Sequence, residues 1–363
     1  MRLLLFVVAT GSRDNVAPLT AATPPGWVVG WGNNTSGDAT GIPGWSFNPG
    51  SATNSPWAIG VVSISSQPLS NVAAIAAGDQ HGLALRYDGT VVGWGWNAGG
   101  QAVGFPTSDN TNGLVSVGGR LLSNVTAVSG DRLLSLALTK DGTAVAWGSL
   151  WNLQSFTLPQ DLASITAISA GCDHVLLVKS DGTVASIGRM PPPPLKLSNI
   201  VAVAAGREWY GHDLALKRDG TVVEWTVSGG REDRPSPVKG LSNIVAIATG
   251  WNHSLALRKD GMVFGWGFSD AATGRPSPDE SHYSEGLVSV GGKPLTNVVS
   301  IAAGSHFSLA VLKDGTAVAW GIMDYGRRPP MVPQGLNGIV AVAAGEDFAL
   351  ALTTNRPPAF QPP

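Results

Sequence analysis

Short runs in which apolar residues alternate with small or polar ones recur along the whole chain. Examples are Thr-Val-Val-Gly-Trp-Gly at 90–95 and Thr-Ala-Val-Ala-Trp-Gly at 143–148 and again at 316–321. Period-two alternation in short runs bounded by turn residues predicts β-strands and hairpins, not helices. An Asp-Gly pair starts at Asp88, Asp141, Asp181, Asp219, Asp260 and Asp314, with spacings of 53, 40, 38, 41 and 54 residues. Glycine in such a pair accepts positive φ without a Cβ clash, so each pair marks a tight hairpin. The chain is therefore a repeat array with a unit near 40 residues and some insertions.

Each unit reads as three clear strands. The first ends in Ala-Ala-Gly or similar, as in residues 200–206, and the second is of the Leu-Ala-Leu type, as at Leu255–Leu257. The third carries a tryptophan at Trp31, Trp94, Trp147, Trp225, Trp266 and Trp320, with Ile187 in the remaining copy. A fourth, weaker strand is expected between that position and the next Leu-Ser-Asn, except where Pro191 to Pro194 exclude a regular one. Both the tryptophan-type strand and the Ala-Gly strand occur seven times, but the first copy begins with the third strand and the last copy lacks it. If the ends meet, the N-terminal strand completes the C-terminal unit. The expected fold is all-β, a seven-bladed β-propeller over residues 27–355, flanked by an N-terminal segment (1–26) and a Pro-rich tail (356–363). Three units also carry a Gly-Leu-Val-Ser-Val-Gly-Gly-like insertion, at 60–66, 113–119 and 286–292, expected to extend loops on one face.

Composition narrows the class. The 363 residues hold 47 glycines, 25 prolines and only 13% charged residues, with 43% hydrophobic, a turn-rich but core-forming mixture. A net charge of -2 excludes a polybasic nucleic-acid arm as the main theme. The single cysteine, Cys172, excludes an intrachain disulfide framework and a Cys-x-x-Cys zinc site. Leu3–Ala9 after Met1-Arg2 resembles a shortened secretory signal peptide, which would make the protein secreted or periplasmic; otherwise it is expected in the cytoplasm.

The unit Ala-Ala-Gly-x-x-His-x-Leu-Ala-Leu-x-x-Asp-Gly-Thr-Val-Val-x-Trp-Gly resembles the regulator of chromosome condensation repeat, over nearly the whole chain from Trp27 to Thr354. That resemblance implies a seven-bladed propeller, in agreement with the count of copies. The short units are also similar to the secreted bacterial propellers that inhibit β-lactamases, in which aromatic-rich loops make the partner contacts. The founding eukaryotic member of the first family uses a basic N-terminal tail for chromatin, and residues 1–26 contain no basic run.

Candidate chemistry is sparse. His81, His174, His212 and His253 occupy one repeat position, where other units have Leu134, Phe307 and Phe348. One residue per blade cannot converge on a metal, so these histidines are expected to be structural, and the recurring aspartates to be turn formers. No phosphate-binding loop, His-Glu-x-x-His, Gly-x-Ser-x-Gly or EF-hand pattern is present, and Cys172 is expected to be an ordinary free thiol. No catalytic residue, metal or cofactor is expected.

Strand parity places the Gly-x-x-His turns and the loops after Trp-Gly on one face and the Asp-Gly turns on the other. The first set of turns contributes six acids against two arginines, together with three aromatics. The other face carries Arg86, Lys140, Lys179, Lys217, Arg218, Arg258, Lys259 and Lys313 against six aspartates. Aromatics with arginine on a rigid rim are the composition of a protein-binding surface. The expected contact residues are Arg132, Arg207, Glu208, Trp209, Tyr210, Trp251, Asn252, His306, Glu346 and Asp347. The expectation is a monomeric, non-catalytic propeller that binds another protein, with no nucleic acid and no membrane span. The alternatives are inhibition of a secreted enzyme such as a β-lactamase, and a hydrolase or lyase with an axial-cleft site.

Overall fold

A computed structural model describes residues 26–41, 57–107, 112–149, 156–159, 162–188, 197–206, 212–226, 240–268, 270–274, 283–322 and 331–360. Among these residues seven antiparallel sheets of three or four strands follow one another along the chain. We number the blades from the one that contains the N-terminal strand. Blade 1 joins both ends of the described chain, with strand order Trp57–Val61, Trp27–Asn33, Phe348–Thr353, Ile339–Ala344. Trp27 pairs with Thr353 and Gly32 with Phe348, so the offset seen in the repeats is resolved by strand exchange between the ends.

Alternation along the strands sets the packing. Seven apolar clusters each join one blade to the next. Ile75 and Trp94 of blade 2 meet Phe348 and Leu350 of blade 1, and Leu309 and Val311 of blade 7 meet Trp31 and Ala351 of blade 1. The other five link the intervening pairs, which closes the ring. Trp31, Trp94 and Trp266 are essentially inaccessible, as expected for inward-facing positions of the third strand. Ile187 takes the tryptophan position of blade 4, paired with Val175.

The innermost strand of every blade carries a bulge after its first residue, from Val72/Ala74 in blade 2 to Ile339/Ala341 in blade 1. A bulge bends and twists its strand, and seven copies at one position curve the strands around the axis identically. In the Asp-Gly turns Gly89 sits at φ 80° and donates its N–H to the Arg86 carbonyl at 3.0 Å. Asp88 Oδ1 accepts from the Thr90 N–H at 2.9 Å and from the Thr90 hydroxyl at 2.6 Å. Those bonds hold its carboxyl below the usual range, and the same pattern recurs at Asp181, Asp219 and Asp314. These aspartates are turn formers.

The three insertions do not extend loops. They build the fourth strands of blades 1, 2 and 6 (Trp57–Val61, Gly113–Leu114 and Tyr283–Leu287), each followed by a two-residue-per-strand hairpin. The reason is the valine in the middle of each: Val62, Val115 and Val288 are fully buried and bond through N–H to the third strand, to Val28, Val91 and Val263 respectively. Pro191 to Pro194 lie outside the described residues, as do 1–25 and the end of the tail. Among the described residues no helix is long and apolar enough to cross a membrane.

Candidate protein-binding face

The repeat histidines tie neighbouring blades together. His81 Nε2 lies 2.8 Å from Ser135 Oγ of the next blade, His212 Nε2 2.5 Å from Ser254 Oγ, His253 Nε2 2.8 Å from Ser308 Oγ, and His174 Nε2 2.9 Å from Asp213 Oδ1. The Ser135 and Ser308 hydroxyls donate onward to the carbonyls of Gln101 and Ala271. Their protons are thus committed, and His81 and His253 must donate from Nε2. Where the slot holds Leu134, Phe307 or Phe348, the facing position of the next blade is Val175, Ala349 or Gly82. Polar follows polar and apolar follows apolar around the ring, because a buried imidazole needs a partner and a buried phenyl ring excludes one.

His253→Ala is therefore expected to destabilise by about 1–3 kcal/mol, the cost of leaving a buried polar partner unmatched, with partner binding retained. Urea unfolding checks it. The double variant His253→Phe, Ser308→Ala, which copies the Phe307–Ala349 pair, should recover part of the loss. An unchanged midpoint for His253→Ala would contradict the structural role.

Glycine is required above these side chains. A Cβ on Gly78 would lie 2.1 Å from the His81 ring, and one on Gly345 would lie 2.1 Å from the Phe348 ring. With no side chains in the way, the turns touch across blades. Cys172 N–H donates to the Gly206 carbonyl at 3.4 Å, Trp251 N–H to Ser305 at 3.3 Å, and Glu346 N–H to Asp79 at 3.1 Å. The turns are thus braced against one another at three of the seven seams, between blades 4 and 5, 6 and 7, and 1 and 2.

The loops after the tryptophan strands of blades 1, 2 and 6 sit on the same face and are braced as well. Asn34 Oδ1 accepts the N–H groups of Ala39 and Thr40, and Asn97 Oδ1 those of Ala102 and Val103. Each loop then receives the indole N–H of the next blade: Trp94 to the Asp38 carbonyl, Trp147 to Gln101 and Trp320 to Ala271, at 2.8–2.9 Å.

On this frame the expected contact residues are distributed as follows. Trp251 and His306, from blades 6 and 7, meet at 4.8 Å between ring centroids with a 60° tilt, and both stay partly exposed. Asn252 beside them is also partly exposed. Glu346 of blade 1 accepts from the Gln80 amide of blade 2 at 3.4 Å, while Asp347 is nearly buried and its carbonyl receives the Asn33 N–H. Arg132 takes φ 26°, and its guanidinium lies 3.3 Å from Cys172 Sγ. The residue stays partly exposed. Burial pushes the Cys172 thiol up to about 12 against the pull of that guanidinium, which disfavours the thiolate at neutral pH. Arg207, Glu208, Trp209 and Tyr210 lie outside the described residues.

Two features of the face were not singled out in the sequence. Phe105, in the loop of blade 2, is half exposed. Asp38 is 2% exposed, and its Oδ1 has no hydrogen-bond partner among the described residues. Burial holds its carboxyl well above the usual range, and the charge of Glu346 adds to the shift.

Comparison with known proteins agrees with the fold. The regulator of chromosome condensation (RCC1) repeat matches residues 72–101, 244–270 and 298–327, which belong to blades 2, 6 and 7. Three stretches of the chain carry the RCC1 repeat, and its fold is like that of the RCC1 propellers. It is 27% identical to protein pim1 of Schizosaccharomyces pombe over 78% of this chain and 57% of pim1. It is 27% identical to the human E3 ubiquitin-protein ligase HERC2 over 76% of this chain and 7% of that protein. The chain thus spans little more than half of one relative and a small part of the other. Among solved structures it is similar to Prp20p of Saccharomyces cerevisiae, with a TM-score of 0.68, 20% identity and 93% of each chain covered; that structure was described together with the binding of Prp20p to Gsp1p and histones. These relatives are eukaryotic and lend no support to a secreted bacterial inhibitor.

Proposed function

We propose that this propeller is a non-catalytic binding protein that holds another protein against its Gly-x-x-His face. The observation that carries the reading is the Trp251–His306 corner, two partly exposed rings presented on turns that bond to each other across the seam of blades 6 and 7. Preorganised aromatics bury area at low entropic cost, and a few such residues dominate most interfaces. The binding of Gsp1p and histones by Prp20p, a propeller of the same fold, is in keeping with this use. The axial channel offers little to the alternative of a hydrolase or lyase. It encloses about 80 Å³ and is lined chiefly by alanines. Its Ser129 and Ser169 hydroxyls already accept the N–H groups of Ala170 and Ala205.

Trp251→Ala is expected to weaken partner binding by at least about 2 kcal/mol, a hot-spot magnitude. Charge reversal at Lys217 or Lys259, on the opposite face, should matter little. The check is capture of partners by tagged protein, followed by titration of the captured protein against variants of verified thermal stability. Loss of binding in the lysine variants with retention in Trp251→Ala would move the interface to the Asp-Gly face.

A further inference from the structure

The seam of blades 6 and 7 carries a groove on its Asp-Gly side. One wall is the hairpin of Ser289–Val290 and Lys293–Pro294, which turns through Gly291 and Gly292 at φ 59° and 76°, the left-handed pair of a tight two-residue turn. The other wall is the Asp-Gly turn of blade 7 and the start of its third strand, Ala317–Gly321. The groove has a volume of about 560 Å³, within the range of ligand pockets. The half-buried Val290, Leu312 and Val318 line it together with the exposed Lys293 and Lys313.

Leu312 breaks the pattern of the repeat. Two residues before the aspartate of the turn, blades 2 to 6 have Arg86, Thr139, Lys179, Lys217 and Arg258, and blade 1 has Thr353 at the corresponding place. An apolar side chain left half-open to water gains when a ligand covers it. The charge of the groove is also unspent. Neither lysine ammonium has an ion-pair or hydrogen-bond partner among the described residues. Asp314, the acid on the groove wall, is engaged by the Thr316 N–H at 3.0 Å and the Thr316 hydroxyl at 2.7 Å. The two related hairpins lack this combination. At blades 2 and 3, Arg120 and Lys140 supply the charge, but Thr139 stands in place of the leucine, its hydroxyl bonded to Asp141 and to the Thr143 carbonyl. At blades 1 and 2 the corresponding residues are Gln67, Tyr87 and Arg86.

We propose that this groove binds a short acidic segment of another protein, with an aliphatic side chain against Val290, Leu312 and Val318 and carboxylates on Lys293 and Lys313. A lysine lays its stem along apolar surface and keeps its ammonium in water, so the same two residues extend the apolar floor and meet the carboxylates. The groove lies on the opposite side from Trp251 and His306, and its use does not rest on the reading of the Gly-x-x-His face. Binding should weaken as salt rises.

The test uses the full chain and a fluorescent peptide in which glutamate alternates with leucine. A glutamine-for-glutamate peptide and an alanine-for-leucine peptide serve as comparisons. Fluorescence anisotropy should show saturable binding of the first peptide and at least about tenfold weaker binding of the other two. The double variant Lys293→Glu, Lys313→Glu, at two exposed positions, should weaken binding of the first peptide at least about tenfold. Leu312→Thr, which copies blade 3, should weaken it as well. Lys259→Glu, an exposed lysine on the turn of blade 6, and Trp251→Ala should leave it unchanged. Thermal unfolding verifies that each variant is folded. Absence of binding by folded wild-type protein, equal binding of either comparison peptide, or a loss in Lys259→Glu or Trp251→Ala equal to that of the double variant would overturn the proposal.

Discussion

Deleting residues 1–33 is expected to abolish cooperative unfolding and to give a protein that self-associates. The strand Trp27–Asn33 is the third strand of blade 1, paired on one side with Phe348–Thr353 and on the other with Trp57–Val61. It also supplies Val28 and Val29 to the two clusters that close the ring against blades 2 and 7. Its removal opens an apolar gap and exposes the unpaired edge of Phe348–Thr353, a template for pairing with another chain. Deleting only residues 1–20 should leave a cooperative transition. Thermal unfolding and light scattering of the two truncations read the difference. A stable monomer lacking residues 1–33 would exclude closure by strand exchange.

The second large effect is expected from Gly93→Val. A Cβ at Gly93 would lie 1.8 Å from the Ala102 carbonyl oxygen, and Gly30 and Gly265 meet Ala39 and Ala272 at 1.7 Å in the equivalent places. These glycines precede the tryptophan only in blades 1, 2 and 6, the blades that carry a braced loop. Blades 3, 4, 5 and 7 have Ala146, Ser186, Glu224 and Ala319 there. The loop must lie directly on the strand for the next tryptophan to reach its carbonyl. A branched side chain would lift residues 97–104, break the Trp147–Gln101 bond and strip the cover from buried polar groups. A loss of about 3 kcal/mol or more is expected, in the range of severe overpacking combined with an unsatisfied buried donor. Ala146→Val, on the corresponding strand of blade 3, should cost far less. Denaturant titration of the two variants side by side checks the contrast, and equal midpoints would show that the loop does not depend on the glycine.

Much of this architecture was legible because a repeat states its rules several times. The Asp-Gly turns, the inward tryptophans and the displaced third strand could each be seen from six or seven copies, and chance agreement among so many is small. The asparagine of Leu-Ser-Asn is another such mark. Asn71, Asn124, Asn199, Asn243 and Asn297 all take φ near +60°, a conformation asparagine tolerates better than most residues, and Gly338 serves blade 1. The insertions were harder. A run of valine and serine between glycines fits a strand or an extended loop equally well, and only burial of Val62, Val115 and Val288 separates the two.

The histidine couplings were legible only in half. The recurring position is plain, but each partner lies 39 to 55 residues away, one place past the corresponding slot of the following blade. The link belongs to ring packing and not to any local pattern. Asp38 was hidden for a related reason. In Ser-Gly-Asp-Ala-Thr it looks like any solvated loop acid, and its burial follows from the indole of Trp94, 56 residues further on, closing on its own carbonyl. The contact of Arg132 was not legible either: its guanidinium lies against the sulfur of Cys172, 40 residues further on, a neighbour that only the packing of blades 3 and 4 brings near.

The most direct test of a propeller that binds protein through one face is amide hydrogen exchange of the full chain, free and with a captured partner. Slowed exchange is expected in the Gly-x-x-His turns of blades 1, 2, 6 and 7 and in the loops 34–41 and 97–107, with the Asp-Gly turns at Asp88, Asp181, Asp219 and Asp314 unchanged. Protection confined to those Asp-Gly turns, with Trp251 and Glu346 exchanging as in the free protein, would contradict the assignment of the face.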